Sequence, residues 1–175
     1  MTAQSSNRSF FYWIRKAGAS LFFLGFIPFA PGTIGSAATV AGIWYLHQHP
    51  RWSLWFNADK PLIWWGSAII LVFISLLLSS RAKETFGKDD PGSVIIDEVA
   101  GQFITFFMVP LSIRTLIAGF FLFRFFDIVK PFPVNDMQQL DDNVGITMDD
   151  VIAGVYANIS LLVVLACYQW IKGYL

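Results

Sequence analysis

Long apolar runs separated by short polar intervals dominate the chain. The runs cover about 17–30, 33–46, 62–79, 94–109, 111–126 and 151–171. The intervals 47–61, 80–93 and 127–150 hold most of the charges. A helix crossing a bilayer needs about 20 residues, with a range of roughly 17–25. The runs 62–79 and 151–171 meet that length. The runs 94–109 and 111–126 are shorter and carry Asp97, Glu98, Arg114 and Arg124 near their ends. End charges reach the interface, whereas charges at mid-membrane are expensive. These two runs are therefore expected to pair as a short hairpin around Pro110. Pro28, Pro31 and Gly32 interrupt the stretch 17–46, and such residues break helices. It reads as a re-entrant or interfacial piece followed by a helix. Few runs alternate with period two, and long apolar runs favour helix. The pattern predicts an all-α fold: a compact bundle of short transmembrane or interfacial helices with a re-entrant or broken N-terminal segment.

Composition narrows the class. Of the 175 residues, 55% are hydrophobic and 14% charged, against about 45–50% and about 25% in soluble domains. This excludes a disordered or collagen-like chain. The length favours one domain over 1–175, with 1–16 as a polar N-terminal tail. Arg8, Arg15 and Lys16 precede an apolar stretch, but no small-residue cleavage pattern follows. The segment is expected to stay in the mature protein. Twelve basic and twelve acidic residues cancel, so no global field recruits nucleic acid. Cys167 is the single cysteine, which excludes an internal disulfide and a cysteine-based zinc site. Nothing in the sequence assigns an oligomeric state.

The positive-inside rule places 80–93, with Arg81, Lys83 and Lys88, in the cytoplasm. The Trp-rich interval 47–61 then lies outside, and His47 and His49 read as interfacial rather than catalytic. On this topology Pro31-Gly32-Thr33, Asp97-Glu98, the stretch from Arg124 to Lys130, and Asp149-Asp150 all meet one membrane face.

Three clusters carry candidate chemistry. Asp97-Glu98 and Asp149-Asp150 each open an apolar run. Acids there can cap a helix and complement its dipole. Two adjacent acids on each of two helices also suit a hard cation such as Mg²⁺, which takes oxygen ligands and substrate phosphate. Gly101 and Gly154 follow Asp97 and Asp150 by one turn. They either leave space beside the carboxylates or mark close helix packing. Asp127 falls near the end of a helix stopped by Pro131, where its charge opposes the dipole. Arg124 and Lys130, each three residues away, can pair with it. They can also bind phosphate, Arg124 as a bidentate clamp and Lys130 as a point charge. Ala30-Pro31-Gly32-Thr33-Ile34-Gly35-Ser36 leads into a helix. It is either a phosphate-binding N-terminus or a Pro-Gly turn with Thr33 as N-cap. Asp89 and Asp90 read as a turn, and Asp141 and Asp142 as solvated loop acids.

In combination, Pro31-Gly32-Thr33-x-Gly35-Ser36, Asp97-Glu98-x-x-Gly101, Phe123-Arg124-x-x-Asp127-x-x-Lys130-Pro131-x-Pro133 and Asp149-Asp150-x-x-Ala153-Gly154 resemble the phosphatidylglycerophosphatase A family over about residues 20–170. One departure is that Asp141-Asp142-Asn143 stands where many relatives carry His-Gly-Gly. The resemblance implies a Mg²⁺-dependent phosphoric monoester hydrolase of the bacterial inner membrane. Its expected reaction converts phosphatidylglycerophosphate to phosphatidylglycerol and phosphate at the cytoplasmic face. A lipid phosphate lies at the membrane–water interface, so polar groups gathered there above an apolar body suit it. On this reading Asp97, Glu98, Asp149 and Asp150 hold Mg²⁺. Arg124 and Lys130 neutralise charge on the transferring phosphoryl group. Thr33 and Ser36 hold the phosphate, and Asp127 orients Arg124 or joins the metal ligands. Two other classes use the same residues differently. A small cation-transport protein would line an ion path with acids, and a non-catalytic scaffold would use them as caps.

Overall fold

The computed structural model describes residues 2–53, 60–79, 82–87, 91–134 and 142–174. Arg81, Lys88, Asp89, Asp90 and Asp141, used in the topology and turn expectations above, lie outside that set. So does the side chain of Asp142. The described residues are helical with no strand, as the apolar pattern predicts. The helices are α1 (Thr2–Ala19), α2 (Pro31–Gln48), α3 (Pro61–Ser79), α4 (Ala82–Phe86), α5 (Ile96–Ile104), α6 (Ile113–Val129) and α7 (Asp142–Tyr174), with a 3₁₀ turn at Leu24–Phe26.

The N-terminal segment is broken as expected, and the break has a mechanism. Leu21, Phe22 and Phe23 all take left-handed backbone angles. Ser20 holds the turn: its hydroxyl accepts from Phe23 N–H at 3.2 Å and its carbonyl from Gly25 N–H at 2.9 Å. The turn then docks on the approach to α5. Ile95 N–H donates to Ala19 carbonyl at 2.9 Å, and a Cβ on Gly25 would collide with Ser93 carbonyl. The stretch read as a polar tail is largely α1. Its residues Phe10, Phe11, Trp13 and Ile14 are apolar and exposed.

α5 is the centre of the bundle and is shorter than its apolar run. It spans nine residues, too few to cross a bilayer. Turns follow over 105–108, and Met108 takes φ 55°. A helix ending inside protein leaves carbonyls without partners. Asn158 of α7 meets that need: its Nδ2 donates to Thr105 carbonyl at 3.0 Å and Phe107 carbonyl at 2.7 Å. α6 restarts with a reciprocal cap, in which Ser112 Oγ accepts from Thr115 N–H and Thr115 Oγ1 from Ser112 N–H.

The expected hairpin of 94–109 and 111–126 is not the main pairing. α5 and α6 each pack more extensively on α7 than on each other. The reason is two glycines. A Cβ on Gly101 would strike Asp150 carbonyl, and one on Gly154 would strike Gly101 carbonyl. The two backbones therefore touch, which selects the packing reading of these glycines. Beyond the crossing, Ile43, Trp64, Phe103, Phe106, Leu116 and Leu161 form the main core.

The outer surface is apolar. Leu62, Ile69 and Phe73 on α3, Phe121 on α6, and Ile159 and Val163 on α7 are all more than half exposed. Such a girdle is foreign to a water-soluble surface. Two helices, Pro61–Ser79 and Val144–Gly173, are long and apolar enough to cross a membrane. Together these features describe a membrane-associated bundle.

Asn158 generates a test. Asn158→Ala leaves the buried carbonyl of Thr105 and the partly buried one of Phe107 without this donor, and a buried unmet group costs about 1–3 kcal/mol. The variant is expected to unfold in detergent at clearly lower denaturant concentration. An unchanged midpoint would mean that water or lipid replaces the amide.

Candidate active site

α5 presents Asp97 and Glu98 in its first turn, and α6 presents Asp127 in its last. Lys130 is the C-cap of α6 and takes a left-handed φ of 46°. α7 supplies Asp149 and Asp150. These six side chains, with Gly92, Val94 and Ile146, line a cavity of about 150 Å³. Arg124 joins through Asp127, its Nη1 lying 2.6 Å from Asp127 Oδ2. Residues far apart in sequence thus meet at one place.

The four expected metal ligands divide in two. Asp97, Glu98 and Asp150 each offer a carboxylate oxygen, and these oxygens lie within 4.8 Å of one another. Asp149 is engaged elsewhere: its Oδ2 accepts from Lys130 Nζ at 2.6 Å, and its Oδ1 from Asp150 N–H at 2.9 Å. Asp97 Oδ1 makes the equivalent local bond with Glu98 N–H at 3.0 Å. The carboxyl of Asp127 lies against that of Asp150, so Asp127 bridges Arg124 to the cluster. A non-glycine residue in the left-handed region is strained. Here that conformation accompanies the placing of Lys130 Nζ on Asp149.

Helix capping does not account for Asp149 and Asp150. α7 begins at Asp142, so both lie about two turns inside it, and the dipole acts within the first turn only. For Asp97 and Glu98, in the first turn of α5, the dipole does contribute. Burial nevertheless dominates. It pushes the Asp97 carboxyl well above the usual carboxylate range, and the charges of Glu98 and Asp150 add to it. Glu98 is also raised, by burial first and by Asp127, while Arg124 opposes the rise. Burial works against the charge on Lys130, but the hydrogen bond and charge of Asp149 outweigh it and raise its pKa.

The cavity thus holds five carboxyls against one lining cation, Lys130. Among the described residues, Glu98 Oε2 and Asp150 Oδ1 are buried with no hydrogen-bond partner. Buried, unmatched charged oxygens are costly, and a divalent cation with oxygen ligands is the complement such a set calls for. The residues present therefore fit a bound divalent metal.

The Pro31-Gly32-Thr33 motif reaches the site, but not through its hydroxyls. α2 starts at Pro31 with Ala30 as N-cap and no side-chain cap, so Thr33 is not the N-cap. Ser36 is fully buried and its Oγ donates to Gly32 carbonyl at 3.0 Å. Thr33 is half-buried, and neither residue is among those lining the cavity. Gly32 is the contact that sequence reasoning missed. A Cβ there would run into Glu98 Oε1 and lie 3.1 Å from Arg124 Nη1. No local signal marks it, because Pro-Gly is equally the sequence of an ordinary turn. His47 lies 15 residues further along α2, about 22 Å at 1.5 Å per residue, which keeps it away from the acids.

Comparison with known proteins finds relatives over most of the chain. The profile of the family described as phosphatidylglycerophosphatase A matches residues 17–165. A Haemophilus influenzae protein named phosphatidylglycerophosphatase A is 37% identical over 155 residues, 83% of each chain. An Escherichia coli protein of the same name is 31% identical over 135 residues, 75% of this chain and 72% of the relative. A Bacteroides thetaiotaomicron protein provisionally named phosphatidylinositol-3-phosphatase is 37% identical over 155 residues, 85% of this chain and 89% of the relative. No solved structure matches the chain. The match takes in every acid and cation of the cavity, and the chain belongs to the phosphatidylglycerophosphatase A family.

Proposed function

We propose that this chain is a Mg²⁺-dependent lipid phosphatase. Its substrate is phosphatidylglycerophosphate, which water cleaves to phosphatidylglycerol and phosphate at the cytoplasmic face of the bacterial inner membrane. The observation that carries the reading is the cluster of Asp97, Glu98 and Asp150 beside two cationic side chains, at one end of an apolar bundle. Family membership supports the reaction class, a phosphoric monoester hydrolysis. The first two turns of α7 are polar and its apolar run begins just after Asp150, a position that suits a head group at the interface. The acids sit at one edge of the bundle rather than along its axis, which disfavours an ion path.

Asp97, Glu98 and Asp150 hold the metal, which when bound supplies positive charge against the phosphoryl oxygens. Arg124, whose Nε is buried without a hydrogen-bond partner among the described residues, donates to the phosphate. Lys130 adds a second positive charge, and Asp149 and Asp127 orient the two cations. Both stabilise charge that builds on the phosphoryl group. The motif at Thr33 and Ser36 also suggests a phosphate-holding role for both hydroxyls. The buried, helix-bonded hydroxyl of Ser36 argues against its share of that role.

The raised pKa of Asp97 sets a pH dependence. The folded, metal-free protein binds a proton there that the unfolded chain releases near 3.8. Its stability should therefore be highest in acid and fall as pH rises above that value. In chelator, the thermal midpoint is expected to drop between pH 4 and pH 7. Mg²⁺ is expected to restore it, and Asp97→Asn to flatten both responses. A midpoint that rises with pH in chelator would contradict the burial of this acid.

Activity is tested by phosphate release from phosphatidylglycerophosphate by purified protein in detergent, with Mg²⁺ and then with excess chelator. Release should stop in chelator. Asp150→Asn should lose roughly 100-fold or more in rate, since metal-borne charge stabilisation is worth several kcal/mol. Phosphatidylinositol-3-phosphate serves as the second arm because one relative bears that name. Preferential release from it would replace the proposed substrate, and metal-independent release from either lipid would overturn the metal reading.

A further inference from the structure

A second, larger cavity of about 500 Å³ opens between α3 and α7. Ala68, Val72 and Leu76 of α3 face Val151 and Val155 of α7 across it. Its lining is almost wholly apolar, and the one amide that reaches it, Asn158, is committed to the carbonyls of Thr105 and Phe107. Trp65 and Phe107, with ring centroids 4.8 Å apart, stand together at the end away from the acids.

The groove starts one residue beyond the acids along α7. Asp149 and Asp150 line the small cavity, and the next residue, Val151, lines the large one. α3 is held level with the acids by a buried hydrogen bond of 2.9 Å between Ser75 Oγ and Thr147 Oγ1. From Leu76 to Trp65 the groove follows eleven residues of α3, about 16 Å at 1.5 Å per residue. One leaflet of hydrocarbon is about 15 Å, half of a core of about 30 Å.

We propose that this groove holds an acyl chain of the substrate lipid while its phosphate lies among the acids. The inference rests on the lipid-phosphatase reading above and adds the part of the lipid that the acidic cavity cannot read. The length match and the succession of Asp150 and Val151 along α7 commit the groove to a chain from the same molecule. The aromatic pair Trp65–Phe107 ends the groove, so chains longer than it must bend out into the bilayer.

The test uses the full-length protein in detergent with Mg²⁺. Ala68→Trp fills the groove without touching the acids. For a dioleoyl phosphomonoester lipid its KM is expected to rise about tenfold or more, the scale on which apolar pockets discriminate. For the dihexanoyl analogue, kcat/KM is expected to stay within about twofold of the parent. Equal kinetics on both lipids for parent and variant would overturn the groove. Should Ala68→Trp fail to fold, the unaltered protein is labelled with phosphatidylglycerol carrying a photoreactive diazirine near the acyl terminus. Labels concentrated on Trp65, Val72 and Val155 support the groove, and labels spread over the outer face of α6 overturn it. The labelling result reads the groove even if no lipid phosphate is released, an outcome that sinks the phosphatase reading alone.

Discussion

The contact between α5 and α7 at Gly101 and Gly154 is the constraint on which the site depends. At those two positions the helices meet backbone against backbone. Asp97 and Glu98 lie about one turn before Gly101, and Asp150 one turn before Gly154. The crossing therefore sets how closely the two acidic pairs approach. Any side chain at either glycine would separate the helices and with them the carboxylates. Small residues at such crossings are the usual means of close helix approach where lipid gives no hydrophobic drive.

That closeness has an electrostatic cost. Like charges in a buried pocket disfavour ionisation, and the raised pKa of Asp97 records it. Part of the imbalance is met within the chain, by Lys130 on Asp149 and Arg124 on Asp127. The rest is left for a bound cation. A divalent cation fits the charge that Lys130 and Arg124 leave unmatched. The arrangement also explains why the pairs Asp97-Glu98 and Asp149-Asp150 are not duplicates. In the first both acids face the cluster. In the second, Asp150 faces it while Asp149 anchors Lys130.

Much of this was legible in sequence, and the gaps have physical causes. Apolar run length identified α3 and the membrane part of α7, because a helix needing about 20 apolar residues leaves a clear pattern. The start of α7 at Asp142 was not legible. Its first two turns are polar, so the apolar run begins only after Asp149 and Asp150, which then look like caps. α5 was overestimated because the turns at 105–108 are as apolar as the helix. Only Asn158, 51 residues beyond Phe107, makes the early ending tolerable. The acids and cations could be gathered from charge spacing, since charges are few and stand out against an apolar chain. Gly32 could not, because its role is an absence of side chain opposite Glu98, which no local pattern encodes.

Long α7 follows the other helices in sequence, and it carries both Asp150 and the glycine that meets α5. During synthesis, Asp97 and Glu98 are made some fifty residues before the helix that completes their pocket. Domains form as the chain emerges from its N-terminal end. Until α7 docks, the early acids have neither their third carboxylate partner nor the close helix wall that buries them. Assembly of the acidic pocket is therefore coupled to the synthesis and docking of α7, not to that of the helix that carries its first two acids.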